Sequence, residues 1–210
     1  MLNRKILKIA FASSEREDDR RVIGKGNDLP GWQGLVPSDM SRFVRLTSYH
    51  SVIPGRKTWD SLSNSFKPLK NRQNIILTHD TNFRPEFDRT KLGPNTEVAM
   101  AHSLEEAVMI AKSENVWIIG GAEIYALALP YTDYLHWTMI HEEFDGDTFF
   151  PYIDWNEWRK IGEEHCSAGI SGTEKRKIKS IPATTPSGVY GNEALYGCPY
   201  IVQVRAAFFF

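Results

Sequence analysis

Five short apolar runs constrain what this chain can become: Ile6 to Ala12, Ser51-Val52-Ile53, Asn74 to Thr78, Val116-Trp117-Ile118-Ile119 and Leu135 to Ile140. Each has the length of a strand. A run that is apolar at almost every position, rather than at alternate ones, suits a strand covered on both faces, as in a parallel sheet. Parallel neighbours need crossovers, and helical patterns lie between the runs. Ser38 to Thr47 reads as a helix capped by Ser38, with Met40, Phe43, Val44 and Thr47 along one face. Ser103 and Glu106 form a capping box for a second helix carrying Leu104, Ala107, Val108 and Ala111. Ala122 to Leu129 reads as a third, closed by Pro130, and Tyr200 to Arg205 as the last strand. The expectation is an α/β fold, a sheet with flanking helices and right-handed crossovers.

Length and charge narrow the classes of function. A chain of 210 residues is expected to form one domain over 1–210 and to bury a core without a metal or disulfide staple. The formal net charge of −1 provides no field for holding nucleic acid or an anionic membrane, so any anionic ligand must be caught by local groups. No apolar run approaches transmembrane length, which points to a cytoplasmic protein. The two cysteines, Cys166 and Cys198, read as free thiols, with a disulfide between them left open. Two regions break the strand–helix pattern: the charged loop Arg84 to Asn95, and a long excursion at about 167–199 containing Lys175-Arg176-Lys177. The terminal Phe208-Phe209-Phe210 has no role legible from sequence.

Five segments carry candidate chemistry. Ile23-Gly24-Lys25-Gly26-Asn27-Asp28-Leu29-Pro30-Gly31-Trp32 is a glycine-punctuated loop that leads through Leu35-Val36-Pro37-Ser38 to Asp39, an acid at a helix start. Alone, such an Asp is ordinarily a cap favoured by the helix dipole. Gly55-Arg56-Lys57-Thr58-Trp59 follows a strand directly and offers cations to a phosphate, or is an ordinary basic pair. Ile119-Gly120-Gly121-Ala122-Glu123-Ile124-Tyr125 places a glycine turn between strand and helix, where missing side chains admit a ligand's phosphates. It lacks the three-glycine dinucleotide fingerprint. Arg72, in Pro68-Leu69-Lys70-Asn71-Arg72-Gln73-Asn74, stands before a buried strand and can present its fork to a carboxylate. Asp145-Gly146-Asp147-Thr148-Phe149-Phe150-Pro151 is an acidic turn with too few carboxylates to suggest a metal.

Taken in order over roughly residues 8 to 160, these segments resemble the dihydrofolate reductase family. Its signature runs Ile-Gly, Leu-Pro-Trp, an acid at a helix start, Gly-Arg-Lys-Thr-Trp, Pro-Leu-x-x-Arg-x-Asn, Gly-Gly-x-x-x-Tyr and Asp-Thr-x-Phe-Pro. The resemblance implies a mixed, mainly parallel sheet with an antiparallel C-terminal strand. It also implies NADPH-dependent reduction of dihydrofolate by a monomer with no metal. Asp39 would hydrogen-bond the pterin, with Thr138 anchoring that network. Phe43 would stack on the substrate, and Arg72 would pair with the carboxylate of its glutamate tail. Leu29 and Trp32 would belong to the closing loop. Ala12, Ile23, Ile119 and Tyr125 would wall the two rings. Gly55, Thr58 and Gly120, Gly121, Ala122, Glu123 and Ile124 would cradle the cofactor's phosphates. Arg56 and Lys57, with Leu77, Thr78 and His79 at the next strand end, would meet the ribose 2′-phosphate.

The nearest rival is a sister reductase acting on a phosphorylated pyrimidine, which has no reason to keep both Asp39 and Arg72. A module on this fold that no longer turns over is the rival from another class. Departures from the family pattern are Pro54 before Gly55, the inserted Gly31, the longer path from Trp32 to Asp39, the charged expansion at Ser13 to Arg20, and the excursion at 167–199. Pro54 donates no N–H, so the strand before it must end at an edge or be unpaired there.

Overall fold

The computed structural model describes residues 4–14, 20–32, 36–167 and 197–205, with 164–167 and 197–205 as backbone alone. The apolar runs form the expected strands: β1 (Ile6–Ser14), β3 (Ser51–Ile53), β4 (Gln73–Leu77), β6 (Asn115–Ile118) and β7 (Tyr134–Ile140). Between them lie α1 (Pro37–Thr47), α2 (Arg56–Ser61), α3 (Leu104–Ile110) and α4 (Ala122–Ala128). Five further strands complete the sheet: β2 (Val22–Gly24), β5 (Glu97–Ala101), β8 (Thr148–Phe149), β9 (Trp158–Ser167) and β10 (Gly197–Arg205).

The main path of the sheet runs β5-β4-β3-β6-β1-β7-β10-β9, with β2 and β8 joined to β1's end. From β5 to β7 every pairing is parallel; β10 is antiparallel to both β7 and β9. The sheet is therefore mixed and mainly parallel, with an antiparallel C-terminal strand. β1 lies between β6 and β7, with Ile9 opposite Ile118 on one side and Leu135 on the other. Sealed residues such as Ile9, Val52, Ile75, Ile76, Val116 and Leu135 explain the continuous apolar runs. At the antiparallel edge the register sets Cys198 across from Cys166.

Several local expectations are corrected. Ser38 does not cap α1: Val36 holds the cap position without a side-chain bond, Pro37 supplies the first turn, and the Ser38 hydroxyl is buried without a partner. Of the face read along α1, Thr47 is buried, but Met40 and Val44 are 40% and 48% exposed, and Arg42 is buried in their stead. Ser103 does cap α3, accepting from Glu106 N at 3.1 Å, but the returning Glu106 carboxylate bonds His102 N at 2.7 Å. α4 ends at Ala128, and Pro130 falls inside a following 3-10 turn, Leu129–Tyr131. Pro54 sits in mid-sheet, one residue past the end of β3, and its carbonyl still accepts from Leu77 N at 2.9 Å. Pairing thus continues past Pro54, to a bridge between Gly55 and Leu77, so the expected edge or unpaired end is not found and the ladder simply lacks one donor there. Residues 33–35, 15–19 of the charged expansion, 168–196 of the excursion and the terminal Phe run lie outside the described residues. No described helix is long and apolar enough to cross a membrane.

Candidate active site

The carboxyl ends of the parallel strands gather most of the residues singled out above. In open α/β sheets ligands bind outside those ends, where the strand order reverses. Here β6 inserts between β3 and β1. Ala12 lies two residues before the end of β1 and stands opposite Thr138 of β7. α1 crosses this pair because Ala10 and Ala12 are small, and Phe43 and Leu46 pack on Ala10, Val52 and Trp117 below. That brings Asp39 onto Thr138, whose hydroxyl donates to Asp39 Oδ1 at 2.7 Å. Trp32 is 1% exposed, packs with Val36, Ile140 and Ala12, and meets the edge of Phe144 at 5.4 Å. Burial pushes the Asp39 carboxyl above its ordinary value; the Thr138 bond and the charge of Arg42 pull it partly back. The arrangement is a solitary, half-buried acid with one donor already in place.

A second group lies along α1. Arg72 is 5% exposed: its Nε donates to Thr47 Oγ1 at 2.8 Å and Nη1 to the Lys70 carbonyl at 2.9 Å. Its second terminal nitrogen, Nη2, is sealed and has no partner. Burial alone lowers the Arg72 pKa, from a starting value high enough that the cation persists. The guanidinium lies 5.7 Å from the Phe43 ring centre, so both side chains occupy one patch. A buried guanidinium with an unused donor calls for an acceptor.

The third group surrounds the Gly-Gly turn. A Cβ on Gly120 (φ +106°) would lie 3.1 Å from the Tyr125 ring, and one on Gly121 would lie 3.3 Å from Thr58 Oγ1. A Cβ on Gly55 would meet Ile124 Cγ1 at 2.6 Å, while Gly55 N donates to the Gly120 carbonyl at 2.6 Å. The absent side chains let Thr58, Ile124 and Tyr125 close in on the backbone of the glycine turn. Tyr125 is buried, donates to the Ala10 carbonyl at 3.0 Å, and is pushed upward in pKa by burial and then by the Asp39 charge. Ile23 belongs to the main core cluster; Ile119 packs on the Ala10–Val52–Trp117 cluster under α1. Leu77 and Thr78 are buried at the end of β4, and His79 is exposed beyond them. Arg56 and Lys57 do not stand free: Arg56 bonds Asp80 at 2.8 Å and Lys57 bonds Glu123 at 3.0 Å.

The glycine-punctuated loop is tied to the acidic turn. Gly26 and Asn27, both at positive φ, form a two-residue turn closed by paired bonds between Lys25 and Asp28. Asp147 accepts from Gly26 N at 3.0 Å and donates its own N–H to the Gly24 carbonyl at 3.1 Å; Lys25 pairs with Asp145 at 2.8 Å. The acids therefore fasten a loop. Among the described residues no group of three or more His, Cys, Asp or Glu is placed to hold a metal. Leu29 beyond the turn is 43% exposed, and Gly31 sits at φ +92°. Sequence reasoning missed Thr47 as the support of Arg72, although their neighbour Phe43 lies one turn away. It also missed Asp80 and His136. The latter is two residues before Thr138, tilted against Trp117 at 4.8 Å, with both ring nitrogens sealed and unpartnered. A cavity of about 590 Å³ lined by Leu104, Met109 and Tyr131 opens beside Arg4 and Leu7, at the opposite end of β1.

Sheet and site together define a class: an α/β protein whose one mixed sheet carries a half-buried acid and a glycine-glycine turn at the carboxyl ends of its parallel strands. A family profile described as dihydrofolate reductase matches residues 11–179. The dihydrofolate reductase of Staphylococcus haemolyticus is 38% identical over 148 residues, covering 70% of this chain and 80% of its own length. That of Bacillus subtilis is 38% identical over 151 residues, covering 70% and 79%. A solved structure, dihydrofolate reductase from Enterococcus faecalis complexed with NADP(H) and RAB-propyl, superposes with TM-score 0.65 at 30% identity, over 96% of both chains. The chain belongs to the dihydrofolate reductase family.

Proposed function

We infer that this chain reduces 7,8-dihydrofolate to 5,6,7,8-tetrahydrofolate with NADPH, as an oxidoreductase acting on a CH–NH group. The observation that carries the reading is Asp39: a lone carboxyl, desolvated, held by Thr138, beside a patch that ends in the unsatisfied nitrogen of Arg72. Asp39 accepts from the pterin's 2-amino and ring N–H groups, which orients the ring. Its charge, undiluted by solvent, raises the pterin's affinity for a proton, and N5 takes that proton from water. Gly55, Thr58 and Gly120 to Ile124 would hold NADPH, with Ala12, Ile23 and Tyr125 as walls, and the bound cofactor would supply hydride for C6. Phe43 stacks on the pterin and benzoyl rings, and Arg72 holds the glutamate carboxylate bidentately. Leu29 and Trp32 close the loop over the site and exclude water.

The test is Asp39→Asn. We expect NADPH affinity to stay near that of the parent and turnover at neutral pH to fall by about 10²- to 10⁴-fold. Collapse of NADPH binding instead makes Asp39 a structural cap. No folate-dependent NADPH oxidation by the parent protein defeats the reading outright. The same proposal takes the chain as one domain, monomeric and cytoplasmic; light scattering giving a dimer's mass refutes the monomer.

A further inference from the structure

The cations expected to meet the cofactor's phosphates are already occupied by carboxylates. β3 and β4 are parallel neighbours, so the residues after their ends come side by side. Arg56 follows β3, and Asp80 follows β4. Arg56 Nη1 lies 2.8 Å from Asp80 Oδ2, and Arg56 Nε lies 3.6 Å from Asp60 Oδ2. The guanidinium covers the Phe83 ring at 4.7 Å. Asp80 is itself held in place: its N–H donates to Thr78 Oγ1 at 3.2 Å, and its Oδ1 accepts from Asn82 N at 2.9 Å. Next to this pair, Lys57 Nζ lies 3.0 Å from Glu123 Oε1. Two cations thus share three carboxylates.

A bare guanidinium selects a ribose bearing a 2′-phosphate. A carboxylate in the same place does the reverse: it repels the phosphate and accepts a hydrogen bond from a free 2′-hydroxyl. Arg56 and Asp80 are each nearly half exposed, at 46% and 43%, so their bond is of the exchangeable kind and a phosphate dianion can break it. We propose that Asp80 is a cofactor-specificity residue, competing with the 2′-phosphate for Arg56 and narrowing the enzyme's preference for NADPH over NADH. The inference rests on the reading above that Arg56 faces the 2′ end of the cofactor.

The test is direct binding of NADPH and of NADH, each without substrate, by titration calorimetry at one ionic strength, followed by KM and kcat with dihydrofolate. Removing the competing carboxylate and its repulsion in Asp80→Asn is expected to tighten NADPH about fivefold to tenfold. NADH affinity stays within about twofold or weakens, as expected for a neutral partner at a screened surface. The split appears in KM. In an Arg56→Gln background Asp80→Asn loses most of its effect. Glu123→Gln, by contrast, shifts both nucleotides alike, since the pyrophosphate is common to them. The proposal is overturned by any of three results: an unmoved affinity ratio in Asp80→Asn, equal shifts for both nucleotides, or a full effect surviving without Arg56. A Glu123→Gln ratio change as large as that of Asp80→Asn also overturns it. Absence of NADPH binding to the parent overturns the site reading as well, whereas an unmoved ratio overturns this inference alone.

Discussion

His136 gives the most quantitative expectation. Its ring nitrogens are sealed and unpartnered, and burial, assisted by the charges of Arg42 and Lys8, drives its pKa from 6.5 down to about 3. The folded protein therefore keeps His136 neutral where the unfolded chain protonates it. In that window the unfolded state binds more protons, so stability is complete above 6.5 and is lost as pH falls toward 3. Between about pH 7.5 and pH 5 the proton taken up by the unfolded chain is worth about 2 kcal/mol, nearly independent of how low the folded value lies. His136→Phe keeps a ring against Trp117 and removes the titration. Urea unfolding followed by tryptophan fluorescence at the two pH values reads the effect. The parent should lose about 2 kcal/mol more than the variant on going from pH 7.5 to 5. At pH 7.5 the variant should equal or exceed the parent, since two unpaired buried nitrogens no longer cost about 1–3 kcal/mol. A parent and variant with parallel pH dependence would refute the account, because His136 would then be finding a proton acceptor or water when folded.

Arg72→Leu should raise the KM of glutamate-bearing folates about 10- to 100-fold, the worth of one charge-assisted contact, and spare pterins without the tail; equal losses for both in steady-state assays refute the role. Asp39→Asn should also stabilise the fold. The Asp39 pKa is raised on folding, so its carboxyl subtracts stability as pH rises above 3.8 through the raised value. The gain in Tm should accordingly be larger at pH 7 than at pH 4, and an equal gain at both contradicts the burial argument. Gly55→Ala forces a Cβ to 2.6 Å from Ile124 Cγ1 and should lower stability by about 1–3 kcal/mol. An unchanged urea midpoint would show that Ile124 simply turns aside.

Burial on both faces made β1, β3, β4, β6 and β7 legible as sequence. The strands that escaped notice are β2, β5, β8 and β9. β8 has two residues, β5 at the edge has a single fully buried position, Ala101, and β2, though buried throughout, runs straight into a glycine-punctuated loop that hides it. α1 was legible as a helix but not in its orientation. Helical periodicity sets Met40 and Val44 on one face with Phe43 and Thr47; Thr47 is indeed buried, beneath Arg72, but Met40 and Val44 are exposed and Arg42 is buried beside the Asp39 carboxyl. Polar work on an inward face is invisible to a hydrophobic pattern. Asp39, Arg72 and the glycine turn were found because motif order carried them. Asp80 was not, because its partner Arg56 lies 24 residues away and is reached only through the β3–β4 pairing.

The insertion of β6 beside β1 also governs how the chain can assemble. Both neighbours along the main length of β1 are remote in sequence: Ile6 pairs with Asn115, and Lys8 with Tyr134, while nearby β2 meets only its last residue, Ser14. Until synthesis has passed the segment 115–140, the first strand made is paired only at Ser14, and the rest of its backbone donors and acceptors face water or the wrong partner. Assembly is therefore governed by closure of loops over 100 residues long, the slow end of folding topologies, and a nascent chain must wait for its middle before its beginning has a place. The Asp39–Thr138 pair and the glycine turn after β6, which flank β1, come into being in that one event.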